Sequence, residues 1–199
     1  MKKILYIIIA LSFFACKNEK KTATPEPTSE TTATTEQTDS IPSEDEEELP
    51  ILTGVQTRKA ISEAPYDTWF APNYSTYVVD TETLEKIIPL FKGVSVKIFM
   101  GTWCSDSQRE VPHFYKILDA MNVYEKNASV NNYELITVDE DKVTPEHLED
   151  GFDITNVPTF IFYRDGKEIN RIVEAPIVSL EKDMLSILSG EDYKHTYKE

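Results

Sequence analysis

The chain has 199 residues, a formal net charge of −15 and two cysteines. Its Lys and Arg, 20 against 35 Asp and Glu, form no basic cluster that could hold phosphates, which excludes nucleic acid as a partner. One thiol in the folded part and three scattered histidines fall short of the ligand set of a structural zinc site, so neither a metal nor another cofactor is expected.

Lys2 and Lys3 precede an apolar run from Ile4 to Ala15, too short for the roughly 20 residues that span a bilayer. A basic start, a short apolar stretch and a small residue before a cut describe a secretory signal over residues 1–15. Phe13-Phe14-Ala15-Cys16 resembles the lipoprotein box of bacteria. That resemblance implies cleavage before Cys16, which then becomes a diacylated N-terminus. Each buried CH₂ contributes about 0.8 kcal/mol, and two chains together hold a protein on a membrane. Lys17, rather than Asp, follows the cysteine, which by the same resemblance favours the outer over the inner membrane. The expected location is the cell envelope, on either the periplasmic or the surface face. With Cys16 given to lipid, Cys104 has no internal disulfide partner, although export places it where disulfides are allowed.

Residues 16–50 form a second region, rich in Thr, Ser, Glu and Pro, with the acidic run Glu44–Glu48. Such a segment cannot bury enough apolar surface to offset its ordering entropy, so it is expected to be a disordered tether between lipid and domain. The folded domain is expected over residues 51–199. Without signal and tether its formal charge is still about −10.

The domain alternates helical and extended patterns. A short helix is expected near Arg58–Ala64, followed by an aromatic stretch around Trp69-Phe70 whose structure stays open. Tyr77–Val79 reads as a strand. Asp80 or Thr81 then caps a helix from Glu82 to about Leu90, with Leu84, Ile87, Ile88 and Phe91 on one face. Val94–Met100 is a buried strand. A long helix follows from about Ser105 to Lys126, its Val111, Phe114, Leu118 and Met121 at helical spacing. Tyr133–Val138 is the next strand, and Thr144–Glu149 a short helix with Pro145 in its first turn. Thr159–Tyr163 and Glu168–Val173 flank the turn Arg164-Asp165-Gly166-Lys167 as a hairpin. Val178–Leu188 closes the chain as an amphipathic helix. A parallel crossover followed by a hairpin and a covering helix makes an α/β domain: a mixed central sheet with helices on both faces.

The chemistry sits in Gly101-Thr102-Trp103-Cys104-Ser105-Asp106-Ser107, between a buried strand and a long helix. A cysteine at a helix N-terminus faces unpaired N–H groups and the positive end of the helix dipole. Both favour the nucleophilic thiolate over the thiol. Trp-Cys-x-x-Ser at this turn resembles the Trp-Cys-x-x-Cys loop of the thioredoxin family. Pro112 stands where that family kinks its active-site helix, and Val157-Pro158-Thr159 resembles its cis-proline strand start. Gly166 falls at its hairpin spacing. The resemblance covers roughly residues 75–190 and implies a thioredoxin-like fold, with a cis peptide bond before Pro158. It also implies that Trp103, Val157 and Pro158 border a groove for an extended peptide.

Four departures qualify the implied activity. Ser107 replaces the resolving cysteine, and serine cannot release a mixed disulfide; it can donate a hydrogen bond to the Cys104 thiolate. Ile98 replaces a buried aspartate that assists proton transfer. Asp106 sets a negative charge beside Cys104, which opposes thiolate formation, and Glu174 stands where a glycine is common near the groove. The resulting expectation is monothiol thiol–disulfide exchange, with Cys104 as nucleophile and Ser107 as its hydrogen-bond partner. Its partners would be cysteine-containing proteins or a small thiol. The alternative is a thioredoxin-fold binding module without turnover. His113, His147 and His195 read as solvated side chains with no ligating pattern.

Overall fold

The structure, a computed structural model, describes residues 48–124 and 132–198. The expected signal peptide, Cys16 and nearly all of the expected tether lie outside the described residues. Among those residues no helix is long and apolar enough to cross a membrane.

Among the described residues ten elements follow in chain order: β1 (Gly54–Gln56), α1 (Arg58–Ser62), α2 (Asp67–Thr76), α3 (Thr81–Leu90), β2 (Val94–Met100), α4 (Ser105–Tyr124), β3 (Tyr133–Thr137), β4 (Thr159–Arg164), β5 (Lys167–Val173) and α5 (Leu180–Ser189). The strands form one sheet in the order β1-β3-β2-β4-β5. β2 and β3 run parallel across the α4 crossover, while β2–β4, β4–β5 and β1–β3 are antiparallel. The domain is therefore of the α/β class, with a thioredoxin-like mixed sheet.

Side-chain alternation along the strands separates two cores. Val94, Val96, Ile98 and Met100 of β2, with Leu135, Phe160 and Phe162, pack into the helical layer on one side. Phe99, Ile136 and Ile161 point to the other side, where Leu148, Phe152 and Ile154 cover them. Local sequence sets the helix ends. Asp80 accepts the Thr83 N–H at 3.1 Å to cap α3, and Ser179 accepts the Lys182 N–H at 3.2 Å to cap α5. Gly190 closes α5 in the left-handed conformation, at φ 80°. Asp165 and Gly166, both at positive φ, make the two-residue turn of the β4–β5 hairpin.

Two expected elements are absent. Tyr77–Val79 forms no strand; it is an extended link between α2 and α3. Its pattern is that of a strand, but its side chains serve helices. The Tyr77 hydroxyl donates to Glu181 of α5 at 2.8 Å, and its ring stacks on His113 of α4. The sheet edge comes instead from β1, whose three residues pair with β3. Thr144–Glu149 forms turns rather than a helix. His147 takes φ 55°, which interrupts a right-handed helix. The capping groups remain: the Glu149 carboxylate accepts the Thr144 N–H and hydroxyl, both at 2.9 Å. The open aromatic stretch resolves as α2, which tolerates Pro72 in its interior.

Candidate functional site

The site is assembled where β2 ends and α4 begins. Gly101 leaves the strand, and Trp103 folds back so closely that a Cβ on Gly101 would lie 2.5 Å from Trp103 Cε2. Only glycine fits at that position. The indole N–H donates to the Val138 carbonyl at 3.1 Å, which ties the loop to the end of β3. Cys104 follows with its N–H on the Gly101 carbonyl at 3.1 Å, and its own carbonyl accepts the Gln108 N–H at 2.9 Å as the first bond of α4.

The opposite wall comes from far along the chain. The Val157–Pro158 bond is cis, as the resemblance implied. The Cys104 thiol donates to the Val157 carbonyl at 3.2 Å, joining residues 53 positions apart. The next carbonyl, of Pro158, accepts the Glu174 N–H at 2.7 Å, and the Glu174 side chain accepts from Asn156 at 3.2 Å. Glu174 has φ 65°, the conformation that glycine adopts freely. The fold thus brings Trp103, Cys104, Val157 and Pro158 together. Cys104 is half-buried and Val157 and Pro158 are buried.

Ser107 sits one helical turn below the thiol and is fully buried. Its hydroxyl oxygen accepts the Gly101 N–H at 3.2 Å, so the contact it makes is with the strand end and not with Cys104. Ile98 is fully buried in the sheet, with no carboxyl in its place. Asp106 is not a lone charge: Arg109 binds it at 2.5 Å and binds Glu110 at 2.8 Å, so a cation stands between the two acids. Burial pushes the Glu110 carboxyl up, but hydrogen bonds from His113 and Arg109 outweigh it and hold the group below its ordinary range.

His113 is not the solvated residue expected. It lies between Glu110 and the Tyr77 ring, at 4.2 Å between ring centroids. Tyr77 is held strongly in its neutral form, first by burial and then by its hydrogen bond to Glu181. Glu181 and Asp183 are both buried on α5, and neither was read from the sequence as internal. The available signal was an acid interrupting the apolar stripe of an amphipathic helix.

The residues before β1 also brace the loop. Thr102 accepts the Leu52 N–H at 3.2 Å, and the Pro50 carbonyl accepts the Tyr66 hydroxyl at 2.9 Å. His147, Glu149 and Asp150 bring donor atoms within 4.8 Å of one another. The Glu149 carboxylate is already engaged by Thr144 and His147 is exposed, so this group of side chains is a surface turn.

The family model described as Thioredoxin matches residues 75–186. A thioredoxin-like protein of Acanthamoeba polyphaga mimivirus is 31% identical over 94 residues, covering 47% of this chain and 62% of its own length. A thioredoxin of Arabidopsis thaliana is 29% identical over 97 residues, covering 49% and 61%. This chain thus spans about six tenths of the length of these relatives. A crystal structure of a Pseudomonas aeruginosa protein of unknown function is similar at a TM-score of 0.49 and 15% identity, over 68% of this chain and 93% of that one.

Proposed function

The chain belongs to the thioredoxin family, and from that premise we propose that it is a lipid-anchored envelope protein performing monothiol thiol–disulfide exchange through Cys104. The observation that carries the reading is the half-buried thiol at the start of α4, 3.2 Å from the carbonyl that precedes cis-Pro158. Arg109 offsets the charge of Asp106 beside the thiol.

In this mechanism the Cys104 thiolate attacks one sulfur of a partner's disulfide. That S–S bond breaks, a Cys104–partner disulfide forms, and the second partner sulfur leaves as a thiolate. Ser107 cannot perform the release. A second thiol does so, either a small external thiol or another cysteine of the partner. It attacks the partner's sulfur in the mixed disulfide and returns Cys104 as thiolate. Ser107, whose oxygen accepts from Gly101, steadies the turn that presents Cys104.

The test is insulin reduction in the presence of glutathione, with mass spectrometry for a Cys104–insulin adduct. The wild-type chain is expected to form the adduct and accelerate reduction, and Cys104→Ala to do neither. If the wild type forms no adduct, exchange is refuted. The second reading is a binding module without turnover, favoured by the buried Ile98 and by Ser107 in place of the resolving thiol. The anchor rests on Cys16, and Cys16→Ser is expected to move the protein from the membrane fraction to the soluble envelope fraction.

A further inference from the structure

A cavity of about 270 Å³ opens on the Trp103 side of the active loop, lined by Glu48, Ile51, Thr102, Trp103, Gln108 and Glu140 among others. Two of its walls come from outside the residues 75–186 that match the family model, because Glu48 and Ile51 belong to the segment leading into β1. That segment is fixed to the loop by the Leu52–Thr102 bond at 3.2 Å and anchored by Tyr66 on Pro50 at 2.9 Å. The cavity is thus built by this chain's own N-terminal extension against the residues that flank Cys104.

Its chemistry is specific. The indole N–H of Trp103 is used on Val138, so the ring offers the cavity only apolar surface. Ile51 and Leu49 add aliphatic surface. The Gln108 amide N–H is used on the Thr102 carbonyl at 2.7 Å. Glu48 and Glu140 are exposed, and among the described residues neither forms an ion pair. Asp106, the other acid of the loop, already has Arg109. The cavity therefore combines an aromatic and aliphatic floor with two uncompensated carboxylates. A long aliphatic stem ending in a cation satisfies both, with the stem on the apolar surface and the charge between the acids.

We propose that this cavity is a specificity subsite for a Lys or Arg side chain flanking the target cysteine of the partner. The proposal rests on the exchange reading of Cys104 and deepens it: the preferred partners are proteins with a basic residue beside the reacting cysteine. The net negative charge of the domain favours the approach of such partners and disfavours acidic thiols.

The experiment uses the full chain and symmetrical disulfides of short blocked peptides, with Lys, Gln or Glu at the positions next to cysteine. The rate of mixed-disulfide formation with Cys104 is followed by mass spectrometry at low ionic strength. Lys peptides are expected to react about fivefold faster than Glu peptides, as for an exposed ion pair. The preference should fall toward unity in the Glu48→Gln/Glu140→Gln double variant and at high salt. Glu85→Gln, an exposed acid on α3 remote from the loop, should keep it. An equal preference in the double variant, or an equal loss in Glu85→Gln, overturns the subsite in favour of the general field of the protein. Reaction without any charge preference also overturns the subsite but leaves exchange standing. Failure of every peptide to react overturns exchange, and the subsite with it.

Discussion

Gly101→Ala tests how tightly the loop that carries Cys104 is packed. A Cβ at this position would stand 2.5 Å from Trp103 Cε2, 2.6 Å from Nε1 and 2.9 Å from Cζ2. Ordinary carbon contacts are about 3.5–4.0 Å, so the ring must retreat by roughly 1 Å. The retreat pulls the indole away from the Val138 carbonyl, now at 3.1 Å, beyond useful hydrogen-bonding distance. Overpacking costs about 1–3 kcal/mol and the lost bond about 1 kcal/mol, for a total of roughly 2–4 kcal/mol. Urea unfolding measures the loss. Trp103 fluorescence, read with Trp69→Phe so that only one of the two tryptophans remains, reports the displaced ring. Gly93→Ala is the comparison: its φ is 74° but nothing lies within 4 Å of the added Cβ. It is expected to cost only the left-handed strain of about 1–2 kcal/mol, with Trp103 emission unchanged. A Gly101→Ala protein within 0.5 kcal/mol of wild type, with unaltered emission, would refute the packing argument.

Ser107→Cys places a second thiol one turn from Cys104, and is expected to give glutathione-independent insulin reduction with dithiothreitol as reductant. No gain over wild type would mean that the missing acid at Ile98 also limits the cycle. Asp183→Ala strands the N–H groups of Ile177 and Val178 and the hydroxyl of Tyr193, all of which the buried carboxylate accepts. The expected loss is about 3 kcal/mol in urea unfolding, and a loss below 1 kcal/mol would contradict the burial of this group. Asp119 is pushed up by burial, but hydrogen bonds from Arg58 and Tyr74 outweigh it and lower its folded-state value. Stability from a depressed carboxyl is complete above the unfolded value of about 3.9 and is lost as pH falls through the folded value. The gap in urea midpoint between wild type and Asp119→Asn should therefore be constant near neutrality and shrink as the pH falls below about 4. A gap that widens on acidification would reverse the assignment.

Elements with an unambiguous short pattern were legible. The strand Val94–Met100, the Asp80 cap, the Asp165-Gly166 turn and the final helix are written in short patterns, and they form where expected. Two errors share one cause. Tyr77–Val79 has strand composition, but a strand needs a neighbour for its ladder, and the neighbours of Tyr77 are helices. Thr144–Glu149 has helix-start chemistry, and the same Thr and Glu groups close a turn instead. At the site, Trp103, Cys104 and Pro158 were recognisable because their motifs are contiguous. Glu48, Ile51 and Glu140 were not, since what relates them to Cys104 is proximity in space.

The amino-acid sequence by itself determined the family, the single thiol of the domain and the missing resolving cysteine, because each is a matter of residue type at a short spacing. The tertiary structure decided what surrounds that thiol. It directs Cys104 toward Val157, engages Ser107 with Gly101, pairs Asp106 with Arg109 and ties the N-terminal extension to Thr102. These contacts depend on where distant segments meet once the two cores are packed, which no local pattern encodes.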